Sequence, residues 1–120
     1  MISVTPHMRV LCFIEPVDFR RGIDGLLGIC RTRISAIDPF SGVLFLFCNR
    51  SRKSIKGVVY DGQGYWLIMK RLSSGKFSYW PAKQENDSVV SEMLSRELSV
   101  LLWNGDPRKA LMGEDFKRIE

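Results

Sequence analysis

The sequence has few of the residues from which metal centres and nucleophilic sites are built. Its 120 residues include one histidine, His7, and three cysteines, Cys12, Cys30 and Cys48, with no Cys-x-x-Cys pair. A structural zinc site needs several such ligands at close spacing, so the sequence predicts no metal site and no cofactor. The cysteines are odd in number and lie in apolar stretches, which is typical of buried free thiols in a reducing cytoplasm.

Long hydrophobic runs and linker-like segments are also missing. The longest unbroken apolar run is Val43–Cys48, far short of the ~20 residues that cross a bilayer. Arg9 and Glu15 interrupt any apolar region of a signal peptide. We therefore predict a cytoplasmic protein with no membrane segment. Without repeats or a Pro/Gly/Ser linker, residues 1–120 are predicted to form a single domain, with a core over 8–81 and a C-terminal helix and tail over 88–120.

Acidic residues are scarce in the middle of the chain. The whole sequence carries a net charge of +5, but residues 49–83 contain Asp61 as their sole carboxylate. Eight basic side chains share that stretch: Arg50, Arg52, Lys53, Lys56, Lys70, Arg71, Lys76 and Lys83. Such a concentration of positive charge favours an anionic partner.

Hydrophobic patterning predicts an α+β fold. Met8–Ile14 reads as a strand, and the apolar spacing from Phe19 onward predicts a helix capped by Asp18. A turn is expected at Asp38–Gly42. Four further runs have strand character: Val43–Cys48, Ser54–Tyr60, Tyr65–Leu72 and Lys76–Trp80. Their short connectors predict an antiparallel β-meander of about four to five strands. A second helix lies within Ser91–Trp103 and ends at Asn104-Gly105.

The hairpin between the second and third of these runs sets a register. A turn at Asp61–Gly64 places Tyr60 opposite Tyr65 and Lys53 opposite Leu72. In a meander, the connectors on either side of a hairpin meet at its open end. We therefore predict that basic residues gather on one rim of the sheet as phosphate contacts: Arg50, Arg52, Lys53, Lys70, Arg71 and Lys76. Secondary contacts are predicted at Arg20, Arg21 and Lys56.

Aromatic and aliphatic residues alternate along the third run so that both faces of the strand are apolar. Tyr65, Leu67 and Met69 share one face, and Trp66 lies on the other. The pattern predicts a sheet covered on both faces by helices or by another subunit, with Trp66 buried.

Three ordered blocks of sequence carry a family resemblance. The first runs from Pro16 to Leu26, the second from Asp38 to Arg50, and the third from Asp61 through Lys70-Arg71-Leu72 and Gly75-Lys76-Phe77 to Trp80-Pro81. In this order they closely resemble the Orf2-like accessory protein, TnpB, of bacterial insertion-sequence family 66. The resemblance implies a small protein needed for efficient transposition beside a separate transposase, which is expected to carry out the chemistry.

Three classes of function follow from these observations. The leading prediction is a non-enzymatic accessory factor that binds DNA backbone, the transposase, or both. The alternative is a module that docks on the transposase without contacting DNA, through its acidic C-terminal helix and tail, with Glu92, Arg96 and Glu97 on the helix face. A metal-dependent nuclease is less favoured, because no general base accompanies its candidate carboxylates: Asp18, Asp24, Asp38 and Asp61. The expected partners are DNA, the transposase and other proteins of the same mobile element, and homo-oligomerisation is left open.

Overall fold

Two helices pack on opposite faces of one five-stranded sheet in a computed structural model of the protein, which describes residues 8–34, 42–83 and 87–105. In chain order the elements are β1 (Val10–Phe13), α1 (Ile23–Arg33), β2 (Leu44–Cys48), β3 (Ser54–Tyr60), β4 (Tyr65–Arg71), β5 (Val90–Met93) and α2 (Ser95–Leu102). The predicted α+β class is confirmed. Within the described ranges, neither helix is long and apolar enough to cross a membrane.

The strands lie side by side in the order β4-β3-β2-β1-β5. β2, β3 and β4 form an antiparallel meander, and β5 is antiparallel to β1. β1 and β2 are parallel, with Val10 paired to Leu44. A parallel pair needs a crossover, which here contains α1. The sheet is therefore mixed, and the meander covers three of its strands.

Each face of the sheet has its own apolar core. α1 contributes Leu26, Leu27 and Cys30 to one core, against strand residues such as Phe45. α2 contributes Leu98 and Leu101 to the other core. The central strands β1 and β2 are buried on both faces, which explains why their sequences are continuous apolar runs.

The hairpin of β3 and β4 has the register predicted from its turn. Tyr60 pairs with Tyr65, and Val59 with Trp66. The expected burial of Trp66 is wrong, because the side chain is 40% exposed. β4 is an edge strand and its apolar residues from Trp66 to Met69 are exposed by 36–54%, so the apolar pattern on both faces of β4 is not matched by burial.

The segment predicted as a strand over Lys76–Trp80 is not one. It crosses the end of the sheet as irregular backbone, with the Phe77 amide donating to the Arg52 carbonyl at 2.7 Å. The buried Trp80 indole donates from Nε1 to the Phe13 carbonyl at 2.9 Å. These aromatic residues are buried by the sheet that they cover, without pairing as a strand.

α1 begins four residues later than its predicted cap at Asp18 implies. Its N-cap is Gly22, which provides no side-chain hydrogen bond. The Asp18 carboxylate instead accepts a hydrogen bond from the Arg20 amide at 2.9 Å. Arg20 and Arg21 therefore precede the helix. They lie at a turn in which the Arg21 amide donates to the Asp18 carbonyl at 3.3 Å, and just before it the Val17 amide donates to the Cys48 carbonyl at 2.9 Å.

The second predicted helix is shorter than the interval in which it was placed, because Ser91–Met93 belongs to β5. It ends as predicted at Asn104-Gly105. Asn104 has a φ of 63°, and the Gly105 amide donates to the Val100 carbonyl at 2.8 Å. This is the hydrogen bond of a Schellman motif. Most of the turn predicted at Asp38–Gly42 lies outside the described residues.

Candidate nucleic-acid interface

Two connections meet at the end of the sheet where β3 begins and β4 ends. The Leu72 amide donates to the Lys53 carbonyl at 2.9 Å, and the Phe77 amide to that of Arg52. These bonds hold the β2–β3 loop beside the segment that follows β4. The end of the sheet carries five exposed cationic residues, which we call the basic rim: Arg50, Arg52, Lys53, Arg71 and Lys76.

The basic rim lacks carboxylate partners within the described part of the chain. The ion pairs found there join Arg9 to Glu92, Arg20 to Asp18, Arg33 to Glu15 and Lys83 to Asp87. None of them includes a residue of the basic rim. Like charges held together without counter-charges repel one another, and a bound polyanion would relieve that repulsion.

Arg52 has a left-handed backbone conformation. Its φ is 59°, a region that non-glycine residues enter at a cost of roughly 1–2 kcal/mol. Asn49 stabilises this turn, because its carbonyl accepts from the Arg52 amide at 3.0 Å and its side-chain oxygen from the Lys53 amide at 3.1 Å. The turn directs two adjacent basic residues to solvent at the end of the sheet.

A polar cleft lies beside two residues of the basic rim. Its volume is about 370 Å³, and it is lined by Lys53, Arg71 and the residues Leu72–Gly75. The hydroxyl groups of Ser73 and Ser74 add uncharged donors to the two cations, a combination that suits phosphate oxygens. The sequence alone predicts these serines only as part of a connector. The sequence feature that could have indicated their role is the Ser-Ser-Gly segment between two basic residues, Arg71 and Lys76.

Arg50 lies on the other side of the β2–β3 loop from that cleft, near Arg20. A wider cleft of about 740 Å³ is lined by residues 16–20 and 49–51. Here Arg20 is already compensated, since its guanidinium contacts the Asp18 carboxylate at 2.6 Å. This hydrogen bond lowers the pKa of Asp18 to about 2. Arg21 is exposed and also borders a neighbouring cleft with Arg50.

Lys70 and Lys56 do not join the basic rim. The Lys70 ammonium donates to the Leu102 carbonyl at the end of α2 and lies 4.8 Å from the ring centre of Trp103. The buried Lys56 ammonium donates to the carbonyls of Phe19 and Arg21, at 2.8 and 3.1 Å. Both ammonium groups hold separate parts of the chain together, the first α2 and the second the approach to α1.

The candidate carboxylates of a nuclease are not brought together. Asp18 lies at the basic end of the sheet. Asp61 occupies the hairpin turn at the opposite end, where its carboxylate accepts from the amides of Gly64 and Gln63 and from the Trp66 indole. The two amide bonds and the indole bond lower the pKa of Asp61. Among the described residues, no three potential metal ligands cluster; Asp38 lies outside them.

The cysteine side chains are buried and unpaired, as predicted. Burial raises the pKa of Cys12 and of Cys30 to about 12, and that of Cys48 to about 11. Their thiols are therefore protonated at neutral pH and pack as small apolar groups.

The residues predicted to dock on a transposase have contacts within the chain. Glu92 lies on β5 and pairs with Arg9, while the Glu97 carboxylate accepts from the Leu94 amide at 2.7 Å to cap α2. Arg96 is exposed in the first turn of the helix.

Comparison with known proteins agrees with the resemblance seen in the sequence. The family model described as IS66 Orf2 like protein matches residues 8–110. The chain is 33% identical over 109 residues to the uncharacterized protein y4jC of Sinorhizobium fredii, covering 91% of this chain and 92% of that protein. It is 32% identical over 104 residues to y4hO of the same organism, covering 86% and 89%. No solved structure matches the chain.

The family match extends from before β1 to beyond the end of α2, and therefore includes the whole sheet and the basic rim. The chain belongs to the IS66 Orf2-like family, and its role is that of an accessory protein in transposition.

Proposed function

We propose that this protein is a non-enzymatic accessory factor that binds the DNA backbone through its basic rim during transposition. The observation that carries the proposal is the absence of carboxylate partners around these five cations within the described residues, while four cations elsewhere are paired. Arg and Lys side chains that neutralise phosphates release counterions, and this release favours binding.

The contacts expected of this rim are to phosphate and sugar. Both helices cover the sheet with their apolar faces, and the basic rim is formed by loops and strand ends. Loop cations and serine hydroxyls position a protein on a duplex without reading base edges. We therefore expect similar affinity for an end of the mobile element and for unrelated duplex DNA.

The carboxylates and the thiols both support a non-enzymatic role. Asp18 and Asp61 lie at opposite ends of the sheet, and each is engaged in local hydrogen bonds. The three thiols have raised pKa values and are buried. They also favour the reducing cytoplasm as the compartment in which the protein acts. Catalysis would then be the task of the transposase.

The second candidate is docking on the transposase without DNA contact. The exposed apolar residues at the two ends of α2 favour it: Leu94 is 53% exposed and Trp103 is 82% exposed. Because Glu92 and Glu97 have intrachain partners, these apolar residues are better candidates for such a contact than the acidic side chains.

Fluorescence anisotropy with labelled duplexes tests the proposal. One duplex carries the end of the element and the other a scrambled sequence. The double variant Arg52→Gln/Arg71→Gln removes two cations of the basic rim, whereas Arg9→Gln/Arg96→Gln removes equal charge from the opposite end of the sheet. We expect the rim variant to lose most of its affinity for both duplexes and the control variant to retain it.

Equal losses in the two variants would contradict the proposal, because they would show an effect of net charge alone. Binding by neither the wild type nor the variants would also contradict it. In that case, transposase capture that is lost with Trp103→Ala and retained by the rim variant would establish the docking function.

A further inference from the structure

The outer edge of the sheet at β4 is apolar on both of its faces. Four consecutive residues are exposed by 36–54%: Trp66, Leu67, Ile68 and Met69. Folded proteins protect such edges with short strands or charged side chains. The other edge, β5, follows that rule, because it has four residues and carries Glu92 paired with Arg9. β4 has seven residues and is charged only at its end.

Half of the backbone amides and carbonyls of β4 point away from β3, outward in the plane of the sheet. The bonds from Asp61 to Gly64 and from Leu72 to Lys53 fix the phase of the ladder between β3 and β4. By alternation, Trp66, Ile68 and Lys70 exchange hydrogen bonds with β3. The amides and carbonyls of Tyr65, Leu67, Met69 and Arg71 are consequently directed outward, and no strand pairs with them within the described chain.

We propose that β4 pairs antiparallel with β4 of a second copy of this chain, around a two-fold axis at Ile68. In this register the outward backbone groups of Leu67 and the partner's Met69 meet, as do those of Tyr65 and the partner's Arg71. Ile68 faces the partner's Ile68 across the axis. Every outward group of the strand then finds a partner, which a register displaced by one residue does not allow.

The charge distribution along β4 favours a second copy of this chain as the partner, and antiparallel pairing as its direction. Asp61 and the aromatic residues Tyr65 and Trp66 precede or begin the strand, whereas Lys70 and Arg71 end it. Antiparallel pairing places the cationic end of one strand beside the aromatic and acidic end of the other. Cation–π contacts across strands then become available. A parallel arrangement would oppose like charges, which is destabilising.

The proposed interface continues an apolar groove between β4 and α2. This groove has a volume of about 130 Å³ and is lined mainly by Leu46, Ile55, Ile68, Leu98 and Leu102. The Ile68 side chain lies over Gly57, so closely that a Cβ added to the glycine would be 2.9 Å from it. Pairing would cover this groove and join two sheets into one, with the two basic rims at opposite ends.

Sedimentation velocity over a range of protein concentrations measures the association. Met69→Lys and Leu94→Lys form a matched pair, because the two residues are 54% and 53% exposed and each substitution adds one charge. We expect the wild type and Leu94→Lys to dimerise with similar affinity. Met69→Lys should weaken dimerisation at least tenfold, since it introduces a lysine into the edge. Circular dichroism establishes that each variant is folded.

Disulfide formation tests the register. Residues at a non-hydrogen-bonded antiparallel position have Cα atoms ~4.5 Å apart, within the range that a disulfide spans. Ile68→Cys is therefore expected to form a covalent dimer on mild oxidation. Met69→Cys, whose counterpart across the interface is Leu67, should cross-link much more slowly. The native thiols are buried, and wild-type protein serves as the blank.

Several results would overturn the proposal, and none of them depends on DNA binding. A wild type that is monomeric at every concentration would do so. Hydrogen exchange of the Leu67 and Met69 amides would then show what covers the β4 edge. Protection in the protein alone would mean that another part of this chain covers the edge. Protection only after transposase is added would identify the transposase as the occupant. A dimer unaffected by Met69→Lys would place the interface elsewhere.

Discussion

Neighbouring residues Lys70 and Arg71 provide a direct test of how the structure divides basic side chains between stability and binding. They point to opposite faces of β4. The Lys70 ammonium is bonded to the Leu102 carbonyl and lies over the Trp103 ring. Arg71 is exposed and lines the polar cleft with Lys53. Lys70→Met should therefore reduce stability, and Arg71→Gln should reduce DNA affinity.

The expected size of each effect follows from these contacts. A cation at a helix C-terminus contributes about 0.3–1 kcal/mol, and an exposed cation–π contact about 0.5–1 kcal/mol. Lys70→Met should thus lower the free energy of unfolding by about 1–2 kcal/mol. Arg71→Gln removes about 0.9 from the slope of log K against log salt concentration, and weakens binding about eightfold near 0.1 M salt. Its effect on stability should stay within about 0.5 kcal/mol.

Urea denaturation and duplex titrations at several salt concentrations measure the two quantities on the same samples. If Lys70→Met changed the salt slope as much as Arg71→Gln did, Lys70 would belong to the DNA interface, contrary to this division of roles. If Lys70→Met had no effect on the free energy of unfolding, the contact of Lys70 with the end of α2 would contribute nothing to stability.

Three further predictions concern the interior and the approach to α1. Lys56→Met should lower the free energy of unfolding by about 1–3 kcal/mol in urea denaturation, because the substitution removes charge-assisted hydrogen bonds to two backbone carbonyls; unchanged stability would contradict this. The Asp18 carboxylate should titrate with a pKa of about 2 in an NMR pH titration, and this pKa should rise toward ~3.9 in Arg20→Gln. Because the pKa of Asp18 is lower in the folded state, the ion pair with Arg20 stabilises the fold at pH values above the ordinary aspartate pKa, and this contribution is lost as the pH falls through about 2. An unchanged titration midpoint of Asp18 in Arg20→Gln would argue against the ion pair. Gly57→Ala should cost about 1–3 kcal/mol, since its Cβ would meet Ile68 and Leu46 side chains at 2.9–3.1 Å, whereas Gly64→Ala has open space and should cost less than about 0.5 kcal/mol; equal effects in thermal melts would contradict the packing argument.

Local features of the structure were predictable from the sequence. The β3–β4 register follows from a short turn and from strict alternation of side chains, and both are properties of adjacent residues. The same register predicted that Lys53 and Arg71 would lie at one end of the sheet. The end of α2 at Asn104-Gly105 was also predictable, because Asn and Gly tolerate the backbone that a Schellman motif requires.

Features that depend on distant contacts were not predictable in the same way. The turn before α1 is held against β3 by the Lys56 ammonium, which donates to carbonyls more than thirty residues away in sequence. The Lys70 ammonium likewise bonds to a distant carbonyl, that of Leu102 at the end of α2. The segment containing Phe77 and Trp80 has strand-like composition, but its hydrogen-bond partners are separate groups on β1, on the β2–β3 loop and at Asn104 after α2.

The salt dependence of DNA binding by the wild-type protein is the most direct test of phosphate contact by the basic rim. A titration of a labelled duplex between about 50 and 200 mM salt should give a slope of up to about −4.5, if all five cations of the basic rim contact phosphates. Affinity should then fall several-hundredfold across this range, to a similar extent for the end of the element and for the scrambled duplex. No binding at the lowest salt concentration, or binding with a slope near zero, would contradict phosphate contact by the basic rim.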